Sequence, residues 1–356
     1  MAQYAGFRCS KRDYAAQEVV AAAAFRSEMT PIWLAVHDSL AATTYANENG
    51  YELDEGALQA ASERYREERG LLSAEATQGW FAARGLSLDD FEDYLERRLW
   101  LGRFADQIEA IRQDYPAPMD TVAALVWPEL VLGGAFDELA LWLARRVALE
   151  AAEDGARAPS PEETEDERRR FFERAGIAPD QCAAWCEGNA SSVERLDELL
   201  RIEALYRRKR HELLSPDNFD REMQSRRLEL LGIEVESAGF PSEAMAQEAR
   251  LCVVEDGASL PDVSARAQST AYHATVFLEG LPEDLQTRFL SAAPGEVFPP
   301  IEDQGVYWVY RVCRKIEPDK DNGEVRRRLE HALITRYFDE LVDTYIQWRP
   351  WGDPSQ

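Results

Sequence analysis

The sequence predicts an α+β fold that is predominantly α, built from two related helical units followed by a small antiparallel sheet domain and a C-terminal helix. Three observations carry this expectation. Amphipathic stripes between Leu40 and Asp114 are punctuated by Gly50, Gly70 and Gly85. The same punctuation returns about 105 residues later, with Gly155, Gly176 and Trp185 in the places of Gly50, Gly70 and Trp80. Near the end, VYWVYRV (Val306–Val312) is rich in β-branched and aromatic residues, as strands are.

Taken in order, residues 1–30 read as a lead-in with one Ala-rich helix from about Ala15 to Met29. Pro31-Ile32-Trp33 opens the next helix, with Leu34, Val36, Leu40 and Tyr45 on it. Leu53-Asp54-Glu55 starts another, its carboxylates near the positive end of the helix dipole and Leu58, Ala61 and Tyr65 on one face. Ser73 opens a short helix bearing Trp80 and Phe81. Ser87 caps a longer one with Phe91, Tyr94, Leu95 and Leu99 in a stripe. Tyr115-Pro116-Ala117-Pro118 is a turn before the apolar run Val122–Leu149, and the Pro-containing acidic stretch Glu153–Asp166 is an exposed connection.

The second copy follows. ERYREERGLLSAEATQGW (Glu63–Trp80) parallels ERRRFFERAGIAPDQCAAW (Glu167–Trp185), and the helix Phe91–Ile108 parallels Val193–Leu213. Beyond Ser215-Pro216-Asp217 the expected elements are a helix from Asn218 to Leu231, strands at Arg250–Glu255 and Tyr272–Leu278, and a helix from Pro282 to near Ala293. A hairpin follows, of Val297–Ile301 and Val306–Val312, and then a closing helix, Val325–Trp348. The segments so delimited are 1–118, 119–214, 215–320 and 321–356.

Composition limits the function. Of 356 residues, 40 are basic and 66 acidic, for a net charge of −26. That balance opposes binding to nucleic-acid backbones or anionic lipid and favours basic partners. Five scattered cysteines make a poor disulfide framework. Cys182 and Cys186 sit one helical turn apart with no nearby residues to complete a metal set, so helix packing is the expected role and no metal or cofactor is expected. No secretory signal is legible and no window approaches about 18 uninterrupted apolar residues, so a cytoplasmic protein is expected. Phosphate loops, nucleophile elbows and paired-His motifs are missing. Trp80, Trp100, Trp127, Trp142, Trp185 and Trp308 are candidates for a peptide groove, although each taken singly fits a core position.

The order Gly50, Leu53-Asp54-Glu55, Gly70-Leu71, Gly85-Leu86-Ser87 and Phe91 to Phe104 resembles the N-terminal helical domain of the SurA/PrsA-type parvulin chaperone family. FLEGLPEDLQTRFLSAAPGEVFPPIEDQGVYWVYRV (Phe277–Val312) resembles the C-terminal half of a parvulin prolyl isomerase domain, through Pro294-Gly295-Glu296-Val297, Pro300-Ile301 and Gly305. The resemblance implies a duplicated SurA-like helical domain beside a degenerate parvulin-like sheet domain. Phe277–Val312 should then form half of a four-stranded antiparallel sheet flanked by helices, with the C-terminal helix packing back on the helical part.

It also implies a site. The family's two histidine positions correspond to Leu251 and Tyr307, so no catalytic residue is carried over. Prolyl isomerisation must twist an amide across a barrier of about 20 kcal/mol, which takes a dry pocket and a polar network. Only the apolar pocket would survive, and the implied peptide-binding set is Leu281, Leu285, Leu290, Tyr307 and Trp308. The expected role is therefore a non-catalytic, chaperone-like binder of unfolded or precursor peptide, with peptide-modifying enzymes as further partners. The chain is also similar to the peptide-maturation proteins found beside ribosomal peptide natural-product genes. The alternatives are a prolyl isomerase or peptide-tailoring enzyme using the same cleft, and a purely structural subunit.

Overall fold

The computed structural model describes residues 4–27, 29–153, 158–188 and 191–351. The described residues are mostly helical and form two small antiparallel sheets, and the chain divides into two compact units: Met1–Arg210 with Arg336–Gln356, and His211–Thr335. No single helix among the described residues is long and apolar enough to cross a membrane.

The larger unit opens with a hairpin, β1 (Tyr4–Cys9) and β2 (Arg12–Ala15), where the sequence suggested a lead-in with no element before the Ala-rich helix. Helices α1 (Ala16–Phe25), α2 (Met29–Glu48), α3 (Glu55–Glu68), α4 (Ala74–Ala83), α5 (Leu88–Arg103), α6 (Ile108–Asp114), α7 (Met119–Leu132) and α8 (Ala135–Glu153) follow. Then come α9 (Pro161–Ala175), α10 (Cys182–Gly188) and α11 (Val193–Leu213). Asp54, Ser73 and Ser87 each accept a backbone N–H at the start of α3, α4 and α5, and Ser87 with Asp90 forms a full capping box. Alanines 41, 42 and 46 on α2 leave room for Trp100 of α5 and Phe104 just beyond it to approach closely.

Two local features of the first helical set recur in the second. Gly70 and Gly176 both sit in the left-handed region, at φ +66° and +65°. After each, the chain closes back on the preceding turn, with Leu71 N–H donating to the Arg66 carbonyl (2.8 Å) and Ile177 N–H to that of Phe172 (3.2 Å). The same ring contact follows. Tyr65 meets Trp80 edge-on at 6.4 Å, and Phe171 meets Trp185 edge-on at 4.9 Å. Gly155, the third glycine of the expected repeat, lies outside the described residues.

The central core joins α1, α8 and α11 to the hairpin. Arg146 of α8 is buried there between Trp142 (3.9 Å) and Tyr206 (3.7 Å), and its charge is met by Glu203 at 3.2 Å. Cys186 is buried in this core with Cys182 packed against it, and burial pushes the Cys186 thiol up to about 11, so it behaves as a small apolar side chain. Among the described residues no group of three or more His, Cys, Asp or Glu is placed to hold a metal.

The expected C-terminal helix begins and ends earlier than read. α16 spans Gly323–Tyr345, and the chain then turns into strand β7 (Ile346–Pro350). β7 pairs with β1, giving the order β2-β1-β7. Ala5, Phe7 and Cys9 are buried alternately along β1, and Phe7 stacks on Tyr14 and meets Trp348 edge-on. At Gly6 an added Cβ would sit 2.1 Å from the Tyr14 carbonyl oxygen, so the close approach of β1 and β2 requires glycine. Arg336–Gln356 thus belong to the larger unit, with Val342 and Ile346 in its core.

An ion network ties the hairpin to α11, with Arg12 paired to Glu198 and Arg195 bonded to Glu198 at 2.7 Å. Burial pushes the Glu198 carboxyl up, but the hydrogen bonds and charges of the two arginines outweigh it and hold the group below the ordinary glutamate value. Its folded-state affinity for a proton is weaker than in the unfolded chain. The stability it contributes is present above the ordinary glutamate value and is lost as pH falls through the depressed one. Glu198→Gln should therefore flatten the fall of Tm on acidification through that window. Thermal unfolding as a function of pH tests this, and a fall as steep as wild type would remove Glu198 from the account.

The smaller unit contains α12 (Pro216–Ser225), β3 (Gly232–Phe240), α13 (Glu243–Val254), α14 (Leu260–Arg266), β4 (Ala271–Phe277), α15 (Glu283–Ser291), β5 (Ile301–Asp303) and β6 (Val306–Ile316). Its sheet is wholly antiparallel, ordered β4-β3-β6-β5. Phe277–Val312 forms half of this sheet, with helices on its faces, as the resemblance implied.

Three local expectations fail. Arg250–Glu255 is not a strand but the end of α13, where Ala246, Ala249 and Val253 are buried at helical spacing and Ser242 caps the start. The sheet's first strand is instead Gly232–Phe240. The helix expected to reach Leu231 ends at Ser225, and Arg226 pairs with Glu229 (2.7 Å) and Glu279 (2.5 Å). Val297–Ile301 contributes only one isolated bridge, Val297 to Arg311, before β5, because Pro299 and Pro300 have no N–H to give a ladder.

Candidate peptide-binding face

Strand alternation sorts the predicted residues onto two faces of the smaller unit's sheet. Along β6, Trp308, Tyr310 and Val312 point one way, opposite Gly239, Ser237 and Val235 of β3. Tyr307, Val309 and Arg311 point the other way.

The first face has a covered end and an open end. At the covered end Phe289 of α15 sits on Ile233, Val235 and Val312, and Leu281, Leu285 and Leu290 pack around it. These leucines are half-buried supports for the core. At the open end Ser237 and Gly239 are half-buried, Ala274 is exposed and Tyr272 is 55% exposed. Trp308 lies across this end, 6.3 Å from the Tyr272 ring and 6.4 Å from that of Tyr310. Tyr310 in turn meets Phe289 edge-on at 5.9 Å. The result is a row of three aromatic rings running from solvent into the core.

Gly239 makes that row fit. A Cβ there would come within 3.3 Å of two ring carbons of Trp308 and 2.8 Å of a Val306 methyl. The missing side chain lets the indole lie on the strand backbone.

The other face is closed by α13 and α14. Ala238, Phe240, Ala246, Ala249, Leu260 and Val309 form its core, and Tyr307 packs against it. Tyr307 therefore does not share a surface with Trp308, which corrects the predicted set. Leu251, placed by the resemblance at a strand histidine position, is an exposed residue of helix α13. The central strands themselves, GIEVESAGF and VYWVYRVCRKI, contain no histidine. His273 is on edge strand β4, in register with Glu236, and contacts Glu234 at 3.0 Å on the face away from Trp308.

The electrostatics of the aromatic row are quiet. Burial, with a smaller push from the Asp303 charge, raises the Tyr310 phenol above its ordinary value, which makes it a poorer proton donor. Sequence reasoning missed Tyr272, Tyr310, Ser237 and Gly239. Alternation along VYWVYRV was the signal that would have grouped Trp308 with Tyr310 and excluded Tyr307.

No family model matches the chain, and no curated protein matches it. Among solved structures the chain is similar to peptidylprolyl isomerase PrsA of Bacillus cereus, with 13% identity over 57% of this chain and 79% of that one, TM-score 0.36. It is also similar to PrsA of Bacillus anthracis, with 12% identity over 57% and 94%, TM-score 0.33. A third is a SurA-like chaperone structure of Campylobacter jejuni, with 10% identity over 61% and 86%, TM-score 0.20.

Proposed function

We propose that this chain is a non-catalytic, chaperone-like protein that binds extended polypeptide on the open aromatic end of the smaller unit's sheet. The observation that carries this reading is the row Tyr272, Trp308 and Tyr310, half-exposed on the sheet with Gly239 beneath it. Amphipathic rings of this kind bury large area with few rotatable bonds, which suits transient capture of apolar side chains. Both central strands lack histidine, and Tyr310 is shifted away from proton donation, so the face offers stacking area in place of acid–base groups.

In its narrower form the ligand is a precursor peptide held for peptide-modifying enzymes in the cytoplasm, as in the maturation of ribosomal peptide natural products. The net charge of −26 supports a basic leader through electrostatic steering.

Calorimetric titration with short unstructured peptides rich in aromatic and aliphatic residues tests the reading. Binding in the micromolar range, about −8 kcal/mol, is expected. Prolyl isomerase assays on the same peptides should give turnover far below that of parvulins. Failure of all peptides to bind, or turnover at parvulin rates, overturns the proposal.

A further inference from the structure

Among the described residues strand β4 pairs with β3 alone, which makes it an edge of its sheet. The opposite edge, β5, is three residues long and follows Pro299-Pro300, a protected arrangement. β4 has no such protection. It runs for seven residues, AYHATVF, without a lysine, carboxylate or proline, and Tyr272 to Thr275 are all exposed. Edges that carry none of these guards are templates for an incoming strand. Leu278 N–H donates to the Leu231 carbonyl at 3.3 Å, in line with the β3–β4 register. Antiparallel alternation then turns the N–H and C=O groups of Ala271, His273, Thr275 and Phe277 toward the open side.

The charge beside this edge selects the occupant. At the Phe277 end lies a cavity of about 550 Å³ with Phe277 and Val325 in its apolar wall and Glu317, Asp319, Asp321 and Glu324 around it. Glu317 pairs with Arg227, and Glu324 with Arg327 and Arg328. Among the described residues Asp319 and Asp321 form no ion pair. One cation, Arg328, already lies over the Phe277 ring at 4.3 Å, and Lys320 is paired with Asp220 at 2.9 Å. Asp319, which accepts the Asp321 N–H at 3.0 Å, and Asp321 stay outside any ion pair, and beside this wall they fit the cationic head of a further lysine or arginine.

We infer that the open edge of β4 accepts an extended, basic segment of polypeptide as an additional antiparallel or parallel strand, with a lysine or arginine side chain entering the acidic cavity beside Phe277. The inference rests on the polypeptide-binding reading above only in that its ligand is a polypeptide. It places the backbone contacts at an edge that the aromatic row does not use.

The test uses two short peptides, one alternating valine with lysine and one alternating valine with glutamate. The lysine peptide should bind the full chain at least about tenfold more tightly, and its affinity should fall as salt rises. Thr275→Pro removes an outward N–H without removing a ladder bond and should lower that affinity about tenfold while circular dichroism stays unchanged. In the unaltered protein, hydrogen exchange should show new protection at the amides of Ala271, His273, Thr275 and Phe277 on adding the lysine peptide, which needs no variant to fold.

Unchanged exchange at those amides overturns the inference, as does equal binding of the two peptides. A shift to dimers that accounts for the protection places a second copy on the edge and overturns it too. If Trp308→Ala weakens peptide binding while Thr275→Pro does not, the aromatic face stands and the edge falls.

Discussion

Phe171→Ala is expected to destabilise the larger unit by about 3–5 kcal/mol, the range for deleting a fully buried aromatic ring. Phe171 has no exposed surface. It stacks on Phe25 at 5.5 Å, meets Trp185 edge-on at 4.9 Å, and touches Phe172 at 5.6 Å. These rings come from α1, α9 and α10, so no single neighbour can collapse into the vacated space. The counterpart substitution, Tyr65→Ala, removes a less buried ring whose hydroxyl also reaches the Leu132 carbonyl at 3.3 Å. Chemical denaturation with two spectroscopic probes measures both. A loss under about 1 kcal/mol for Phe171→Ala would mean that the cavity closes and that the second helical set is more plastic than its packing indicates.

Trp308→Ala should cost peptide binding rather than folding. The indole is half-buried and lies on Gly239 between Tyr272 and Tyr310, so its removal leaves a shallow, solvent-reached depression instead of a sealed cavity. Loss of an aromatic anchor at the centre of a binding face typically costs 2 kcal/mol or more, about thirtyfold in affinity. Tyr307→Ala is the internal control. It is one residue away on the same strand, but its side chain belongs to the opposite face and should leave peptide affinity near wild type. Equal losses from the two substitutions would point to a general loosening of the sheet and would remove the aromatic row as the binding surface.

The helices were legible because their signals are local. Asp54, Ser73 and Ser87 cap where the sequence places them, and Gly70 and Gly176 end helices in the left-handed conformation that glycine tolerates. The strands were less legible because their partners are remote. β1 shows alternation at Ala5, Phe7 and Cys9, but its meaning depends on β7, more than 330 residues later by the pairing of Phe7 with Trp348. In α13 the pair Val253-Val254 imitates a strand, yet the helical spacing of Ala246, Ala249 and Val253 outweighs β-propensity once a sheet face is available to cover. The candidate site divided in the same manner. Composition drew attention to VYWVYRV, whereas which of its rings share a surface depends on strand register.

Pairing of β1 with β7 makes the smaller unit an insertion within the larger one. On the ribosome, residues 4–210 emerge long before the segment that seals their sheet. Until Ile346–Pro350 is synthesised, one side of β1 has only solvent to bond, and Phe7 lacks the Trp348 ring that covers it. The inserted unit, with every strand of its sheet drawn from residues 232–316, can mature first. Removing β7 should therefore leave the inserted unit native and the surrounding one prone to association, an asymmetry that limited proteolysis of such a truncation would display.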